Sequence, residues 1–210
     1  TLKHGEREDW LAAVRWLAQM HAAYLGREEE LQALGCLHEQ GPDYYQAMVE
    51  MARANLHLAG AGPALDRLET LLERFDAVIA RLTRLPLTLV HGSLSRHNVA
   101  IQSDRKIRLF DWETAAIGSP AWDLAHLLAG WKADKPAFVA AYLGAFTPPA
   151  GVPFDAGAFQ VTCLHYGKVL NVLRDLRRSA EACRDAKFVE QTLTGLETAW
   201  CQLDWEDAHD

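Results

Sequence analysis

The middle of this 210-residue chain constrains its fold most, because the hydrophobic pattern changes there from helical to β-like and then back. On both sides, apolar residues recur every three or four positions, the spacing of amphipathic helices. In the middle lie three short runs with strand character, at 87–90, 99–101 and 107–110. A polar turn at 102–106 joins the last two runs. The pattern predicts a mainly α-helical protein with a small β-hairpin insert, an α+β fold.

Apolar spacing and terminal residues together predict the bounds of the helices. They place helices at about 9–25, 42–60, 65–82, 121–131, 136–146, 156–179 and 181–203. Asp9 is predicted to cap the first of these helices and Gly26 to end it. The apolar series from Leu65 to Leu82 is unbroken, so one long helix is predicted there.

Composition and charge narrow the possible partners. Half of the residues are hydrophobic and the net charge is -7. The acidic balance and the lack of a basic run argue against a nucleic-acid surface, and they mildly favour a cationic small molecule. No apolar run approaches the roughly 20 residues that span a membrane, and no secretory signal is recognisable. With four widely spaced cysteines and no CxxC pair, we expect reduced thiols in a cytoplasmic protein.

Two polar loops flank the predicted hairpin and carry the candidate chemistry. The segment His91-Gly92-Ser93-Leu94-Ser95-Arg96-His97-Asn98 precedes its first strand, and Asp111-Trp112-Glu113 follows its second. A short hairpin brings its strand ends together, so the amide oxygen of Asn98 and the carboxylate of Asp111 should face each other. Hard oxygen ligands of this kind suit Mg²⁺. Glu113 can add a second carboxylate, directly or through water. These three residues are the predicted metal site.

The same loops resemble those of the aminoglycoside phosphotransferase and choline kinase-like family, which has a protein-kinase-like fold. Members carry His-Gly-Asp, four residues and Asn, then a hairpin, an Asp-x-Asp or Asp-x-Glu loop, and Gly-x-Pro-x-x-Asp-Leu at a helix start. The matching residues here are His91-Gly92, Asn98, Asp111-Trp112-Glu113 and Gly118-Ser119-Pro120-Ala121-Trp122-Asp123-Leu124. Residues 13–21 are also similar to the first helix of the family's C-terminal lobe.

The resemblance implies ATP- and Mg²⁺-dependent transfer of phosphate to the hydroxyl of a small molecule. It implies that Asn98 and Asp111 bind Mg²⁺ with help from Glu113. His91 would pack the first loop against the metal-binding segment. Asp123 would accept hydrogen bonds from the backbone of that loop. The acceptor stays open among aminoglycosides, choline-like amines, sugars and amino-acid-like hydroxyls, and the sequence indicates no oligomeric state.

One residue departs from the family pattern at the position of the catalytic base. Ser93 stands where the family has aspartate. A serine hydroxyl has no useful basicity near neutral pH, and losing a general base costs about 10²–10⁴-fold in rate. The departure supports an alternative, a pseudokinase-type module that binds nucleotide, metal or a partner without catalysis. A helical interaction protein that retains only the fold is a third possibility.

The family's N-terminal β-rich lobe, with its phosphate-covering loop and lysine, has no counterpart in this sequence, because residues 1–60 are predicted to be helical. We therefore expect 1–210 to be a single helical C-terminal lobe, with the strand and hairpin segment 87–113 carrying the catalytic and metal loops. Truncation, loss of a disordered lobe and a truly solitary lobe all stay open. The chain alone is expected to show little or no activity.

Three further side chains have alternative interpretations. His97 lies beside the metal position and is predicted to be a solvated loop residue rather than a ligand. Trp200 and Trp205 stand among acidic residues. They are predicted to belong to a frayed acidic tail, with the lining of a cationic acceptor site as the alternative.

Overall fold

The computed structural model describes residues 1–73, 75–102, 104, 106–131 and 134–207, with the backbone alone at 165, 166, 168 and 200–207. The helices are α1 (Arg7–Tyr24), α2 (Glu28–Gln32), α3 (Pro42–Leu58), α4 (Gly62–Leu72), α5 (Phe75–Leu82), α6 (Pro120–Ala129), α7 (Lys135–Ala145), α8 (Ala156–Val161), α9 (Gly167–Leu176) and α10 (Ala186–Asp207). The strands are β1 (His38–Glu39), β2 (Thr88–Val90), β3 (Val99–Ile101), β4 (Ile107–Leu109) and β5 (Ala116–Gly118). This composition confirms the predicted mainly helical fold with a small β component.

The chain divides into two compact units. The first unit consists of Thr1–Gln40 and Arg84–Leu164, and the second consists of Gly41–Thr83 and the chain from His165 onward. Both polar loops of the sequence motif belong to the first unit.

The first unit is built around two small sheets and helix α1. One sheet has the order β1-β5-β2, with β5 parallel to β1 and antiparallel to β2. The other is the β3-β4 hairpin, in which Val99 lies opposite Leu109. Helix α1 packs against α6, α7, β2 and β4. Its buried side chains form one core with residues of α6 and α7, among them Val14, Leu17, Leu124, Phe138 and Tyr142.

The second unit is a helical assembly. Helix α3 packs against α4, α5 and α9, while α10 packs against α4 and α9. Tyr45, Met48 and Leu56 of α3 are fully buried. Ion pairs join the helices at the surface, where Arg53 of α3 contacts Glu69 of α4, and Arg67 of α4 contacts both Glu190 and Glu197 of α10.

The predicted strands are confirmed, and two further strands were missed. β2, β3 and β4 lie within the three predicted runs. β1 has two residues and β5 has three, and β5 is buried at every position. Such short segments carry no alternating pattern that sequence could report.

The helix predictions were right in position and wrong in several bounds. α1 begins at Arg7, and Asp9 is not its cap but its third residue, where its Oδ2 accepts a hydrogen bond from the Glu6 N–H (3.0 Å). The long helix predicted at 65–82 is two helices, α4 and α5. The apolar series continues across their junction because both helices bury it, so periodicity does not reveal the break. The helix predicted at 156–179 changes to π pitch over Thr162–Tyr166 and ends at Leu176.

None of the described helices combines the length and apolar character required to cross a bilayer.

One buried side chain in the first unit lacks hydrogen-bond partners. The Gln40 side chain is 1% exposed, and neither Nε2 nor Oε1 has a partner in the described part of the chain. A buried unpaired amide costs more than an apolar side chain of similar length. We expect Gln40→Met to raise the free energy of unfolding by about 1 kcal/mol, measured by denaturant titration. The matched control is Gln32→Met, at an exposed glutamine, which should change little. A loss of stability in Gln40→Met would show that a bound water or another group satisfies the amide.

Candidate functional site

Side-chain hydrogen bonds hold the backbone of the loop that follows β2. The Asp123 carboxylate accepts from the His91 N–H through Oδ2 (2.6 Å) and from the Gly92 N–H through Oδ1 (3.0 Å). Trp122 Nε1 donates to the Gly92 carbonyl (2.8 Å), and Thr114 Oγ1 donates to the His91 carbonyl (3.0 Å). These bonds satisfy backbone N–H and C=O groups of the loop that are not paired in a β-sheet. They therefore hold the loop in one defined position.

Gly92 is required at its position. Its φ of +79° lies in the left-handed region that side chains rarely adopt. A Cβ built there would overlap the backbone carbonyl of Thr114. The close approach of these two backbone segments keeps the two polar loops in contact.

Asp123 anchors the loop from a fully buried position in the first turn of α6. Burial acts to raise the pKa of this carboxyl, but hydrogen bonds from the His21 ring and the His91 N–H outweigh it, so the pKa lies below its usual value. The helix dipole also favours a negative charge there. Asp123 is therefore an ionised carboxylate at neutral pH.

A buried chain of hydrogen bonds supports Asp123 from behind. His21 Nε2 lies 3.3 Å from Asp123 Oδ2, and His21 Nδ1 lies 2.7 Å from the Tyr142 hydroxyl. A carboxylate only accepts, so Nε2 donates to it. Burial raises the pKa of Tyr142 well above its usual value, so the hydroxyl keeps its proton. These hydrogen bonds connect α1 and α7 to the Asp123 carboxylate, which positions the loop.

His91 joins the two polar loops through its ring. Nε2 lies 2.9 Å from the Phe110 carbonyl, which only accepts, so this nitrogen donates. Nδ1 accepts a longer hydrogen bond from the Ser93 N–H (3.4 Å). The ring also packs on Trp112, with centroids 4.8 Å apart. With both nitrogens engaged and no exposed surface, His91 is placed to connect loops rather than to move protons.

Asn98 and Asp111 converge at the ends of the hairpin. Asn98 Nδ2 donates to the Ser93 carbonyl (3.1 Å) and to Asp111 Oδ2 (3.2 Å). Because both partners are acceptors, the amide nitrogen faces them and Oδ1 stays available for a cation. Asp111 adopts left-handed backbone angles (φ 69°, ψ 53°), which aspartate tolerates better than most residues. The two side chains thus meet at the hairpin ends, but through the amide nitrogen, whereas the amide oxygen was predicted to face the carboxylate.

The donor set fits a magnesium ion that completes its shell with water and phosphate. No group of three or more His, Cys, Asp or Glu side chains that could hold a metal occurs among the described residues. Mg²⁺ binds through one or two carboxylates and keeps several waters, so an amide oxygen and one carboxylate are a sufficient protein contribution.

The other predicted residues lie around this pair without direct bonds to it in the described structure. Glu113 is exposed on the 3₁₀ turn Trp112–Thr114, and no described residue forms an ion pair with it. Ser93 is half-buried, and its hydroxyl has no hydrogen bond to any described residue. His97 is exposed. Trp200 and Trp205 lie on α10, and their side chains fall outside the described ones. The functional roles of all these residues stay predictions.

Sequence reasoning missed the supporting partners of the loop. His21, Thr114, Trp122 and Tyr142 all contribute hydrogen bonds, and of these the sequence analysis named only Trp122, as part of the family motif. Trp122 is buried. His21 on the apolar face of α1 was the available signal, because a buried histidine needs a polar partner.

The anchoring role of Asp123 predicts a pH-dependent loss of stability in Asp123→Asn. The variant leaves buried donors without a charged acceptor, so we expect about 3 kcal/mol of destabilisation at neutral pH. The folded pKa is lowered, so the charge stabilises the fold fully above the ordinary aspartate pKa of about 3.9. This stabilisation disappears as the pH falls through the lower folded value. The difference in unfolding free energy between wild type and variant should therefore shrink below about pH 4.

The control is Thr114→Val, which removes one neutral hydrogen bond from the same loop. It should cost about 1 kcal/mol with no such pH dependence. An Asp123→Asn effect of equal size at every pH would contradict the ionised anchor.

Known proteins resemble this chain in sequence profile and in fold. The sequence profile of the phosphotransferase enzyme family (APH) matches residues 3–156. A search of curated proteins gave no significant match. Among solved structures, the chain is similar to the choline kinase LicA from Streptococcus pneumoniae (TM-score 0.56, 14% identity, 91% of this chain and 64% of that chain). It is also similar to the GDP complex of wild-type aminoglycoside 2'-phosphotransferase-IIIa (TM-score 0.58, 19% identity, 96% of this chain and 65% of that chain).

A third similar structure is an ethanolamine kinase from Plasmodium vivax (TM-score 0.52, 16% identity, 92% of this chain and 59% of that chain). The chain therefore spans less than two thirds of the length of these three proteins. At such identities the structures establish a shared fold, and the family profile, which covers most of the chain, establishes kinship. The chain belongs to the phosphotransferase enzyme family.

Proposed function

We propose that the protein containing this chain transfers the γ-phosphoryl group of ATP, with Mg²⁺, to the hydroxyl of a small molecule. The observation that carries the proposal is the convergence of the Asn98 amide and the Asp111 carboxylate from the two ends of one hairpin. Membership of the phosphotransferase enzyme family supports the reaction class. Residues 1–210 would act as the C-terminal lobe, with 87–113 carrying the catalytic and metal loops.

In this proposal Asn98 Oδ1 and the Asp111 carboxylate hold Mg²⁺, and Glu113 assists directly or through water. The ion, when bound, neutralises the charge of the phosphate groups. The chain contributes preorganisation. The Ser93 carbonyl fixes the Asn98 amide, and His91 fixes the segment that leads into Asp111. Little side-chain motion is then needed when the ligand arrives.

The serine at position 93 determines the rate of phosphate transfer that we expect. Its position in the loop is that of the base, but its hydroxyl cannot take a proton from an acceptor near neutral pH. We infer a rate lower by about 10²–10⁴-fold than with an aspartate at this position. The same observation favours a second candidate function, a pseudokinase-type module that binds nucleotide and metal without transferring phosphate.

The acceptor we propose is a small hydroxyl compound, and the net charge of -7 favours cationic members of that class. Similar structures include a choline kinase, an ethanolamine kinase and an aminoglycoside phosphotransferase, which is consistent with such an acceptor. We also propose a cytoplasmic location, supported by the free thiols of Cys36, Cys163 and Cys183.

Metal binding at the hairpin ends can be tested with Mn²⁺ as a paramagnetic substitute for Mg²⁺. We expect Mn²⁺ to broaden the backbone amide resonances of Asn98 and Asp111 selectively, and excess Mg²⁺ to reverse the broadening. Asp111→Asn should abolish the effect because it removes the carboxylate. Asparagine tolerates the left-handed backbone, so the fold should survive.

Asp104→Asn is the matched control, since Asp104 is an exposed carboxylate in the turn of the same hairpin, paired with Lys106. It should leave the broadening unchanged. Equal broadening in the wild type and in Asp111→Asn would remove the basis of the metal site.

The role of Ser93 can be tested by Ser93→Asp in the full-length protein, with phosphate transfer from ATP followed over a panel of amino alcohols and aminoglycosides. We expect turnover to rise by about 10²–10⁴-fold because a general base is restored. Ser93→Asn, similar in size but without basicity, is the control and should show no gain.

The outcomes separate the two candidate functions. Measurable turnover in the wild type that rises in Ser93→Asp indicates an impaired enzyme. Turnover in the variant alone indicates a non-catalytic binding module. If Ser93→Asp and Ser93→Asn are both no faster than the wild type, Ser93 is not in the place of the base.

A further inference from the structure

A cleft of about 380 Å³ lies in the first unit between α1 and β4. Helix α1 contributes Arg15, Trp16 and Gln19, and the hairpin contributes Lys106, Ile107 and Arg108. None of these residues belongs to the metal pair or to the loop that Asp123 anchors. The volume is within the range of small-molecule sites.

The lining residues come from one face of α1 and from three successive positions of the hairpin. Arg15 and Gln19 are four residues apart and Trp16 lies between them, so all three share one face of α1. Lys106 and Arg108 are two residues apart at β4, so they project to one side of the hairpin and Ile107 to the other. All three line the cleft, which lies where α1 packs against β4.

The lining of the cleft is positively charged, whereas the chain as a whole is negatively charged. Three of the lining side chains are basic and none is acidic. Lys106 Nζ pairs with Asp104 (2.8 Å), and Arg108 Nε donates a long bond to Gln102 Oε1 (3.4 Å). Arg15 is exposed and has no hydrogen bond or ion pair to a described residue. At least one guanidinium is therefore ready to bind an anion, and Arg108 is held only weakly.

The floor of the cleft is apolar. Trp16 is half-buried and packs against the core of the first unit, and Ile107 is 7% exposed and belongs to that core. A tryptophan that is supported from behind offers a rigid surface for a flat ring. The arginine side chains of the lining supply planar donors that match phosphate and carboxylate groups.

We propose that this cleft binds a small organic anion that joins a flat aromatic body to a phosphate or carboxylate group. The ring lies against Trp16, and the anionic group pairs with Arg15 and Arg108. The site is independent of the phosphotransfer proposal and needs neither Mg²⁺ nor Asp111.

The experiment is a titration of the protein with naphthyl phosphate in the absence of divalent metal, followed by the indole N–H resonance of Trp16. Trp16→Phe assigns the resonance. We expect a saturable shift that weakens as salt is added, because the site is open to solvent. Arg15→Glu and Arg108→Glu should each reduce the affinity by about tenfold, the loss of one charge-assisted hydrogen bond.

Arg84→Glu is the matched control, an identical charge change at an exposed arginine of the same unit that does not line the cleft. It should leave the affinity unchanged, as should Asp111→Asn. Naphthoate should also bind, whereas inorganic phosphate and naphthol should bind more weakly, because each lacks one half of the recognised chemistry.

Four results would overturn the proposal. They are an absent shift, equal affinity in the Arg15→Glu variant, naphthol binding as tightly as its phosphate, and a glutamate-rich peptide outcompeting the small anions. The last would assign the cleft to an acidic polypeptide. None of these results bears on the Asn98–Asp111 metal pair, so the two proposals fail separately.

Discussion

The buried carboxylate of Asp123 is the interaction on which the candidate site depends. It lies in the core with no exposed surface and stays ionised because three donors, from His91, Gly92 and His21, point at it. A charge in that place would be costly without them. Within the described part of the chain these donors have no other acceptor, so the Asp123 carboxylate and the loop specify each other. Removing either half leaves the other buried and unsatisfied.

A short series of contacts connects the Asp123 carboxylate to the surface and holds the side chains along it in place. Tyr142, which bonds to His21, is itself stacked with Phe146 and with Phe159, so the series begins in the aromatic core. It continues through the loop to the Ser93 carbonyl and the Asn98 amide. Among the described residues, Ser93 takes part in this support only through its backbone. At this proposed position of the base, a change of side chain would therefore leave the geometry of the loop in place.

The fold was predictable where local pattern and burial agree. The hairpin and most helices follow from apolar spacing, because one buried face imposes a period on the sequence. The prediction failed for β1 and β5, which are too short to show a period, and for the junction of α4 and α5, where both helices bury one continuous apolar series. The capping of α1 was also misassigned, since Asp9 stabilises the helix start from within the first turn.

The sequence by itself determined the family motif, the hairpin that joins its two loops, and the pair of oxygen donors at the hairpin ends. These features are local, so the spacing of their residues along the chain is enough to fix their geometry. Only the tertiary structure decided what supports them. His21 and Asp123 are separated by 102 positions, and Asp123 and His91 by 32. Such pairs form because burial forces polar groups to find partners wherever the packed helices bring them. The periodicity of the sequence does not indicate which residues become partners in this way. For the same reason, the basic cleft between α1 and β4 is recognisable only in the folded chain.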